Sequence, residues 1–284
     1  MPGTPGCEVC GAATGAWVLR GGGRLWRCPT CGHVLRDLAD CPAGARDEAY
    51  GGDPVLDRVR LGLTFRRLRG MVPAGGSVFE IGYGAGLLLR RFADAGHPVA
   101  GVDADQLGVT ADPVVVARGR LLRGELEAVA DAGGHDLVYG VHVVEHLRDP
   151  VAGLRRAYDL LAPGGRVCLV TPTADSLGAD WFGSAWWLLE DPTHVRFFTA
   201  ASARRLLARV GFVEVRVRRL RLDTLSMEAA SLRRRVRPAP RAAGVLAERA
   251  TLALAAATAP AVLAARAALP RLAPTLEITA RRRA

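Results

Sequence analysis

The 284-residue sequence contains no lysine and no asparagine, so arginine supplies all of its basic side chains apart from histidine. This one-sided usage suggests a GC-rich coding bias, so a pI near 10.3 does not by itself indicate nucleic-acid binding. Residues 216–284 hold 15 arginines against 4 acidic residues, a balance of +11, which leaves about −1 for residues 1–215 out of the total of +10. Nucleic-acid enzymes carry positive charge around their active-site mouth. The near-neutral larger part therefore argues against DNA or RNA as a substrate.

The sequence also lacks a hydrophobic run long enough for a strong membrane span. The stretch between Arg249 and Arg266 has 16 uncharged residues, but most are alanine and Pro260 interrupts them. A spanning helix needs roughly 20 strongly apolar residues. Residues 1–6 lack the charged and apolar regions of a signal peptide. We therefore expect a cytoplasmic protein without a transmembrane span.

The most informative stretch that is present runs from residue 78 to residue 86 and reads VFEIGYGAG, followed by VAGVD at residues 99–103. Its apolar start suits a buried parallel strand, and the glycines allow a ligand to approach the backbone. The leucines that follow begin a helix whose N-terminal amides face the loop. Asp103 ends the next strand, where a carboxylate can accept hydrogen bonds from both hydroxyls of a ribose. These features predict a nucleotide-binding half-site, and a glycine-rich turn without a ligand is the alternative.

The spacing of the glycines distinguishes between two classes of cofactor. A dinucleotide fingerprint places its third glycine five residues after the first. Leu87 occupies that position here, and Gly86 comes one residue early. The resulting G-x-G-x-G pattern, preceded by Glu80, resembles motif I of the class I S-adenosylmethionine-dependent methyltransferases.

This resemblance implies roles for the residues around the loop. In that family the acidic residue of the first strand lies near the methionine amino group, the glycine loop faces the methionine part, and the aspartate after the second strand holds the ribose. A short polar turn after the third strand lies beside the adenine. Carried over, the cofactor-binding residues are Glu80, Gly82, Tyr83, Gly84, Gly86, Asp103, Ala104, Glu125, Leu126 and Val141.

Two further segments resemble motifs of this family and occur in the same order along the chain. Residues 136–141 read as a fourth strand, and residues 160–172 contain a helix end, a Pro-Gly-Gly turn and a fifth strand similar to the family's turn. Alternating strands and helices predict an α/β fold with a doubly wound, mostly parallel sheet. The family resemblance implies seven strands in this Rossmann-like sheet, with residues 275–280 as the last strand, antiparallel between the fifth and the sixth.

Four cysteines near the N-terminus form two C-x-x-C-G knuckles, Cys7 with Cys10 and Cys28 with Cys31. Two residues between thiolates let both sulfurs of a knuckle point at one ion, and the following glycine lets amides turn back toward the sulfurs. Four thiolates leave no coordination position for water. We therefore predict a structural Zn²⁺ site, with free thiols or disulfides as the alternative.

We predict five parts along the chain. These are a zinc-binding module (1–40), a linker and leading helix (41–74), the methyltransferase core (75–222), an Ala/Arg-rich helical insertion (223–273) and a last strand with a basic tail (274–284). The insertion carries a basic cluster that can contact an acidic lipid surface or a phosphorylated substrate. A solvated helix face is the alternative for this cluster, which consists of Arg233, Arg234, Arg235 and Arg237. The sequence gives no indication of the oligomeric state.

Three histidines are candidates for a general base, because histidine is the usual base near neutral pH. His142 and His146 follow the fourth strand, and open α/β sheets bind their ligands beyond the carboxyl ends of strands. His194 lies in the segment DPTHVRFFT, after an aromatic stretch at residues 181–187 that suits a lid. The expected order is His142, then His146, with His194 close behind.

The sequence motif His142-x-x-Glu145-His146 also matches a zinc-peptidase pattern. That pattern needs one continuous helix, and here the first histidine ends a strand, so we reject this interpretation. In some quinone O-methyltransferases that the chain resembles, a Glu-His pair after the fourth strand helps to hold a divalent ion. His142 replaces the first glutamate of that arrangement. A capping role for Glu145 and His146 is the alternative.

The resemblance as a whole implies S-adenosylmethionine-dependent methyl transfer to a small-molecule acceptor, a metabolite or an activated sugar, by O- or C-methylation. The cysteine knuckles are similar to the front of sugar C-methyltransferases, which usually carry a further C-terminal domain. One alternative is a degenerate methyltransferase fold that serves as a zinc-stabilised binding or scaffold protein. Another is a nucleic-acid methyltransferase, although no Asn/Asp-Pro-Pro-Tyr/Phe motif follows the fourth strand.

Overall fold

The computed structural model describes residues 4–37, 54–104, 108–236 and 245–284. Arg237 of the predicted basic cluster lies outside them. The helices and strands, in chain order, are β1 (Gly15–Val18), β2 (Arg24–Arg27), β3 (Val34–Leu35), α1 (Pro54–Arg69), β4 (Val78–Ile81), α2 (Leu87–Asp94), β5 (Val99–Asp103), α3 (Pro113–Arg118), β6 (Arg120–Arg123), β7 (His135–Val141), α4 (Pro150–Leu160), β8 (Leu161–Pro172), α5 (Leu177–Phe182), β9 (Arg196–Phe197), α6 (Ala200–Val210), β10 (Val213–Arg219), α7 (Met227–Val236), α8 (Arg249–Ala268) and β11 (Thr275–Arg281).

The larger sheet has seven strands in the order β10-β11-β8-β7-β4-β5-β6. The strands from β8 to β6 run parallel, and β11 is antiparallel to both β8 and β10. Helices cover both faces, which explains why β4 is buried at all four positions. One face packs on Leu68 of α1 and Phe92 of α2. The other packs on Leu154 of α4 and Leu206 of α6. The predicted doubly wound sheet with an inserted antiparallel last strand is confirmed.

The Pro-Gly-Gly segment differs from the predicted turn. Helix α4 ends at Leu160, and the glycines lie within β8, where the pairing with β7 shifts register between His135 and Leu137. A Cβ on Gly165 would stand 2.9 Å from the carbonyl oxygens of both Ala162 and His135. Gly165 therefore lets β8 pass close to β7. The predicted turn is instead an irregular part of β8.

A second sheet joins the N-terminal module to the rest of the chain. Its order is β1-β2-β3-β9, so that β9 of the core pairs antiparallel with β3. Arg196 of β9 is buried and donates to both carboxylate oxygens of Glu8, at 2.7 and 2.9 Å, and to the carbonyl oxygens of Leu147 and Arg148. This arginine connects the first cysteine knuckle to the segment that follows His146.

Helices α7 and α8 follow β10 and precede β11 in the chain, and they pack against each other. Arg266 of α8 is fully buried, donates to the Glu228 carboxylate of α7 and also donates to the carbonyl oxygens of Arg221, Asp223 and Thr224. Among the described residues, α8 is the one helix long and apolar enough to cross a membrane by length and composition, and 17% of its apolar stretch is buried. The buried arginine fixes α8 to the helix that precedes it.

Candidate active site

A cavity of about 620 Å³ opens at the carboxyl ends of β4, β5 and β7, where open parallel sheets bind ligands. Most of the predicted site residues line it. On the wall formed by the strand ends, which we call the cofactor wall, they are Gly82, Gly84, Asp103, Ala104, Glu125, Leu126 and Val141. The three predicted histidines, His142, His146 and His194, line the same cavity. One cavity therefore brings together two sets of residues that the sequence analysis had singled out separately.

The glycine loop has the backbone conformation that only glycine adopts easily. Gly82, Gly84 and Gly86 have φ angles of 71°, 50° and 72°. A Cβ on Gly82 would stand 2.5 Å from a methyl group of Val143, whereas one on Gly84 would meet no atom within 4 Å. The Gly84 amide donates to Oδ2 of Asp103 at 2.8 Å. The loop thus leaves open space at the cavity and fixes the carboxylate beside it.

Three of the predicted cofactor-binding residues do not line the cavity. Gly86 faces Val115 of α3 instead, and the Tyr83 ring packs over Gly101. Glu80 is buried within the sheet, where its Oε2 accepts a hydrogen bond from Tyr139 at 3.1 Å. Burial raises the pKa of Glu80 well above its ordinary value, although the hydrogen bond from Tyr139 acts in the opposite direction. These residues support the loop from behind.

Gly124 is a lining residue that the sequence analysis missed. It follows β6 with a φ of 130°, and a Cβ there would meet no atom within 4 Å. Its amide donates to the carbonyl oxygen of Asp103 at 2.9 Å. A glycine at a strand end beside Glu125 was the available signal. Gly84 and Gly124 therefore leave open space at the cavity, where a ligand can approach the backbone.

His142 is held between two carboxylates. Its Nε2 lies 3.0 Å from Oδ2 of Asp223, and its Nδ1 lies 3.4 Å from Oε1 of Glu145. Burial disfavours the charged ring, but the charge and hydrogen bond of Asp223, together with Glu145, outweigh it and raise the pKa of His142 to about 9. Burial would raise the pKa of both carboxyls, yet the histidine lowers that of Asp223 and brings that of Glu145 to about 2. At neutral pH the ring therefore keeps its proton.

His146 and His194 form a pair with ring centroids 4.8 Å apart. Nδ1 of His146 lies 2.9 Å from the carbonyl oxygen of Thr193, and Nδ1 of His194 lies 2.7 Å from that of Leu188. A carbonyl oxygen only accepts, so each Nδ1 carries a hydrogen. In the neutral rings the lone pair then resides on Nε2. Nε2 of His194 also lies 3.6 Å from Oδ2 of Asp191, so a proton or a metal ion on this nitrogen would face a carboxylate.

Two groups of described residues have the donor atoms for a metal ion. The sulfurs of the four cysteines lie within 4.8 Å of one another, with Cys7 and Cys31 at 3.6 Å and Cys10 and Cys28 at 3.4 Å. Sulfurs at tetrahedral zinc are roughly 3.8 Å apart, given Zn–S bonds of about 2.3 Å. The quartet therefore fits zinc.

The second group consists of Glu145, His146 and His194, whose donor atoms also lie within 4.8 Å of one another. Two imidazoles and one carboxylate suit a divalent transition metal. Glu145 is fully buried, and its Oε2 accepts from Thr171 at 3.0 Å while Oε1 faces His142. An ion here would compete with His142 for this carboxylate.

A family model described as a methyltransferase domain matches residues 58–217. The chain belongs to this methyltransferase-domain family. The match begins after the cysteine knuckles and ends before α7, so neither the N-terminal module nor the helical insertion is part of it. The family assignment rests on the cofactor wall and its sheet.

Curated relatives of this methyltransferase domain include two ubiquinone biosynthesis O-methyltransferases. The protein from Ruegeria pomeroyi is 37% identical over 101 residues, which cover 34% of this chain and 41% of the relative. The protein from Xanthomonas axonopodis is 34% identical over 122 residues, which cover 41% and 50%. The chain thus spans about half the length of the curated relatives it matches.

Solved structures show the same fold at low identity. A phosphoethanolamine N-methyltransferase from Haemonchus contortus, in complex with S-adenosylmethionine, matches with a TM-score of 0.55 at 16% identity, covering 80% of this chain and 53% of that one. The cyclase SpnF also matches with a TM-score of 0.55, at 17% identity over 86% and 88%. Because one of these neighbours is named as a cyclase, the fold alone does not identify the reaction.

Proposed function

We propose that this methyltransferase-domain protein transfers the methyl group of S-adenosylmethionine to a small-molecule acceptor, and that the reacting group is a hydroxyl. One observation carries the proposal, namely that a single cavity has the glycine loop and Asp103 on one wall and the His146–His194 pair on another. The curated relatives, which are named as O-methyltransferases, support the choice of oxygen. A C-methylated acceptor is the competing outcome.

The cofactor wall would hold S-adenosylmethionine by its nucleoside. When bound, this cofactor supplies an electrophilic methyl carbon on a sulfonium, so the protein needs to provide position and a base. Asp103 would accept hydrogen bonds from the ribose hydroxyls, with its orientation fixed by the Gly84 amide. Gly124, Glu125 and Leu126 would lie beside the adenine. Glu80 would act indirectly, by supporting the loop.

The proton of the acceptor hydroxyl would go to Nε2 of His146 or His194, because both nitrogens carry a lone pair when the rings are neutral. The sequence analysis placed His142 first among the candidate bases, and we now place it behind His146 and His194. His142 already holds its proton between Asp223 and Glu145, so it cannot accept another. Its role would be to fix those two carboxylates beside the cavity.

A divalent ion held by Glu145, His146 and His194 is a second candidate mechanism, since the donor atoms of these residues converge. An ion there would lower the pKa of the acceptor hydroxyl and replace the base. Titration of the purified protein with Mn²⁺ distinguishes the two. A transfer rate independent of added metal supports the histidine base, and a rate that rises with Mn²⁺ supports the ion.

The proposed activity can be tested with S-adenosylmethionine that carries a deuterated methyl group. The purified chain is incubated with small-molecule extracts, and the products are separated by mass spectrometry. We expect a labelled small molecule that the Asp103→Ala variant forms much more slowly when the concentration of S-adenosylmethionine is below saturation. Label in nucleic acid would support a nucleic-acid methyltransferase instead. Cofactor binding without any labelled product would support a binding or scaffold role.

A further inference from the structure

Part of the cavity is lined by residues that the methyltransferase-domain match does not contain. Nine of the lining residues lie between positions 222 and 259; seven of these are apolar and none is charged. We call this part of the cavity the apolar lobe. Its larger side chains are Leu222, Leu225, Leu246 and Leu252. A polar metabolite would leave this lobe without a partner.

The mouth of the apolar lobe exposes large apolar side chains to solvent. Val59 and Leu63 of α1 and Leu222 before α7 all line the cavity, yet they are 56%, 41% and 57% exposed. Covering these side chains with the apolar part of a ligand is favourable, because it removes apolar surface from water. Apolar surface that continues from an interior lobe to the outside fits a ligand with an extended hydrocarbon part.

Helix α8 connects the lobe to the protein surface. Ala255, Ala256 and Ala259 on this helix line the cavity, and its outward side includes the exposed Leu254 and Ala257. No charged residue occurs between Arg249 and Arg266. A helix with no charge over 16 residues, most of which are not buried, is unusual on a protein that faces only water.

The charge around α8 indicates what this surface contacts. Arg249 at the start of α8 and Arg271, three residues beyond its end, are both exposed. An apolar helix flanked by arginines binds to the interface of a bilayer with anionic lipids. Arg266 is buried against Glu228, and the inner face of α8 lines the cavity, so α8 would lie along a bilayer and not across it.

We infer that the methyl acceptor is an amphiphile whose hydrocarbon chain occupies the apolar lobe, and that α8 rests on the anionic lipid surface from which the chain enters. This inference rests on the proposed function, because it names the class of the acceptor. The reacting head group would lie beside the histidine pair, with the chain running past Leu225 and Leu252 to the mouth.

The lobe is tested with brominated dodecanol, which quenches tryptophan fluorescence on contact. Trp187 lines the cavity, so quenching should occur in the full-length protein and should disappear in the Trp187→Phe variant. We expect bromoethanol, which lacks the chain, to require much higher concentrations. Replacing Leu63 and Leu222 together by serine should raise the concentration of brominated dodecanol needed for half-maximal quenching roughly tenfold, because apolar contact area is removed.

The matched control for these substitutions replaces Val18 and Val116 by serine. Both are exposed, at 73% and 59%, but neither lines the cavity. We expect this control to behave like the wild type. Equal quenching by bromoethanol and brominated dodecanol, or equal weakening in both double variants, would overturn the apolar lobe as a chain-binding site.

The lipid contact is tested by flotation with vesicles of phosphatidylcholine containing phosphatidylglycerol. Replacing the exposed Ala257 and Ala264 of α8 by glutamate should abolish flotation, since it places charge on the uncharged face. Replacing the exposed Ala201 and Ala208 of α6 by glutamate is the control and should leave flotation unchanged. No flotation of the wild type, or a lipid-free dimer that the α8 substitutions dissociate, would overturn the lipid contact.

Calorimetric titration with S-adenosylhomocysteine separates this inference from the proposed function. We expect the wild type and all the double variants to bind S-adenosylhomocysteine with similar affinity. Binding of S-adenosylhomocysteine without quenching by the chain would overturn the inference and leave the proposed function standing. Absence of S-adenosylhomocysteine binding in the wild type would overturn the proposed function itself.

Discussion

The two walls of the cavity are built in different ways. The cofactor wall consists of strand ends and the loops that follow them, between residues 82 and 141, in the order that a doubly wound sheet requires. The opposite wall takes residues from α1, from residues 142–147, from residues 187–194 and from the helical insertion. Its parts meet only through tertiary packing. Sheet topology therefore builds the wall that we propose holds the cofactor, whereas long-range contacts of this chain build the wall that we propose faces the acceptor.

The largest expected difference between the two walls is a loss of kcat, without a loss of cofactor affinity, when the histidine pair is changed. Changing His146 or His194 to asparagine keeps a donor near the position of Nδ1 but removes Nε2. We expect kcat to fall by about 10²–10⁴-fold, the range for loss of a general base, while affinity for S-adenosylhomocysteine stays unchanged. His97→Asn is the matched control, because Nδ1 of His97 also bonds a carbonyl oxygen, that of Gly76 at 2.7 Å. An equal loss of cofactor affinity would contradict the separation.

The next largest effect is expected at the pairing of His142 with Asp223, which joins the segment that follows β7 to the insertion. Because the folded pKa of His142 is raised from 6.5 to about 9, its contribution to stability is present in full below pH 6.5 and is lost as the pH rises through 9. Asp223→Asn should therefore lower the free energy of unfolding by about 2–3 kcal/mol at pH 6, and by less at pH 10. Urea unfolding at both pH values measures this difference.

The control for that measurement is Asp94→Asn, which changes a half-exposed carboxylate on α2. Its effect should be small at both pH values, since exposed ion pairs contribute little. A destabilisation by Asp223→Asn that is the same at pH 6 and pH 10 would mean that the carboxylate does not act through the charge of His142.

On the cofactor wall, Asp103→Ala should weaken binding of S-adenosylhomocysteine by about 1–3 kcal/mol, the range for a buried hydrogen-bonding partner. Stability should change little, because Asp103 bonds a loop amide at the cavity edge. Calorimetric titration provides the affinity, and thermal unfolding provides the control. Unchanged affinity would exclude Asp103 as the ribose ligand.

The smallest effect is expected for Glu80→Gln. Glu80 does not line the cavity, and a glutamine oxygen can still accept the hydrogen bond from Tyr139, so affinity for S-adenosylhomocysteine should change by less than about 1 kcal/mol. Burial raises the pKa of Glu80, so the wild type loses stability as the pH rises above the ordinary value near 4.5. The variant should be more stable than the wild type at pH 8. A large loss of affinity would place Glu80 against the cofactor.

The sequence predicted the sheet and most of the cofactor wall because both depend on local patterns. Asp103 and Val141 could be found because parallel strands end at one edge of the sheet. Glu80 was grouped with them because the resemblance to motif I implies a role at the cofactor, yet its side chain is buried within the sheet and does not line the cavity. Tyr83 lies in the loop between two of the glycines, where its ring packs over Gly101 instead.

The acceptor side could not be predicted to the same extent. His142 follows a strand, as a base would, but its partner Asp223 lies 81 residues further on and no local pattern indicates the pair. Glu8 and Arg196 are 188 residues apart, and the packing of the N-terminal module on the core, including the pairing of β3 with β9, brings them together. The alanines of α8 read as a helix of low complexity, and the fold is needed to show that they line a cavity.

The most direct test of the central claim, that one cavity places S-adenosylmethionine opposite the histidine pair, is a titration followed by NMR of the histidine rings. The full-length chain is titrated with S-adenosylhomocysteine. We predict that the ring signals of His146 and His194 shift until one equivalent is bound, while those of His33 and His97, which do not line the cavity, stay in place. No shift in any histidine, or equal shifts in all of them, would contradict the account.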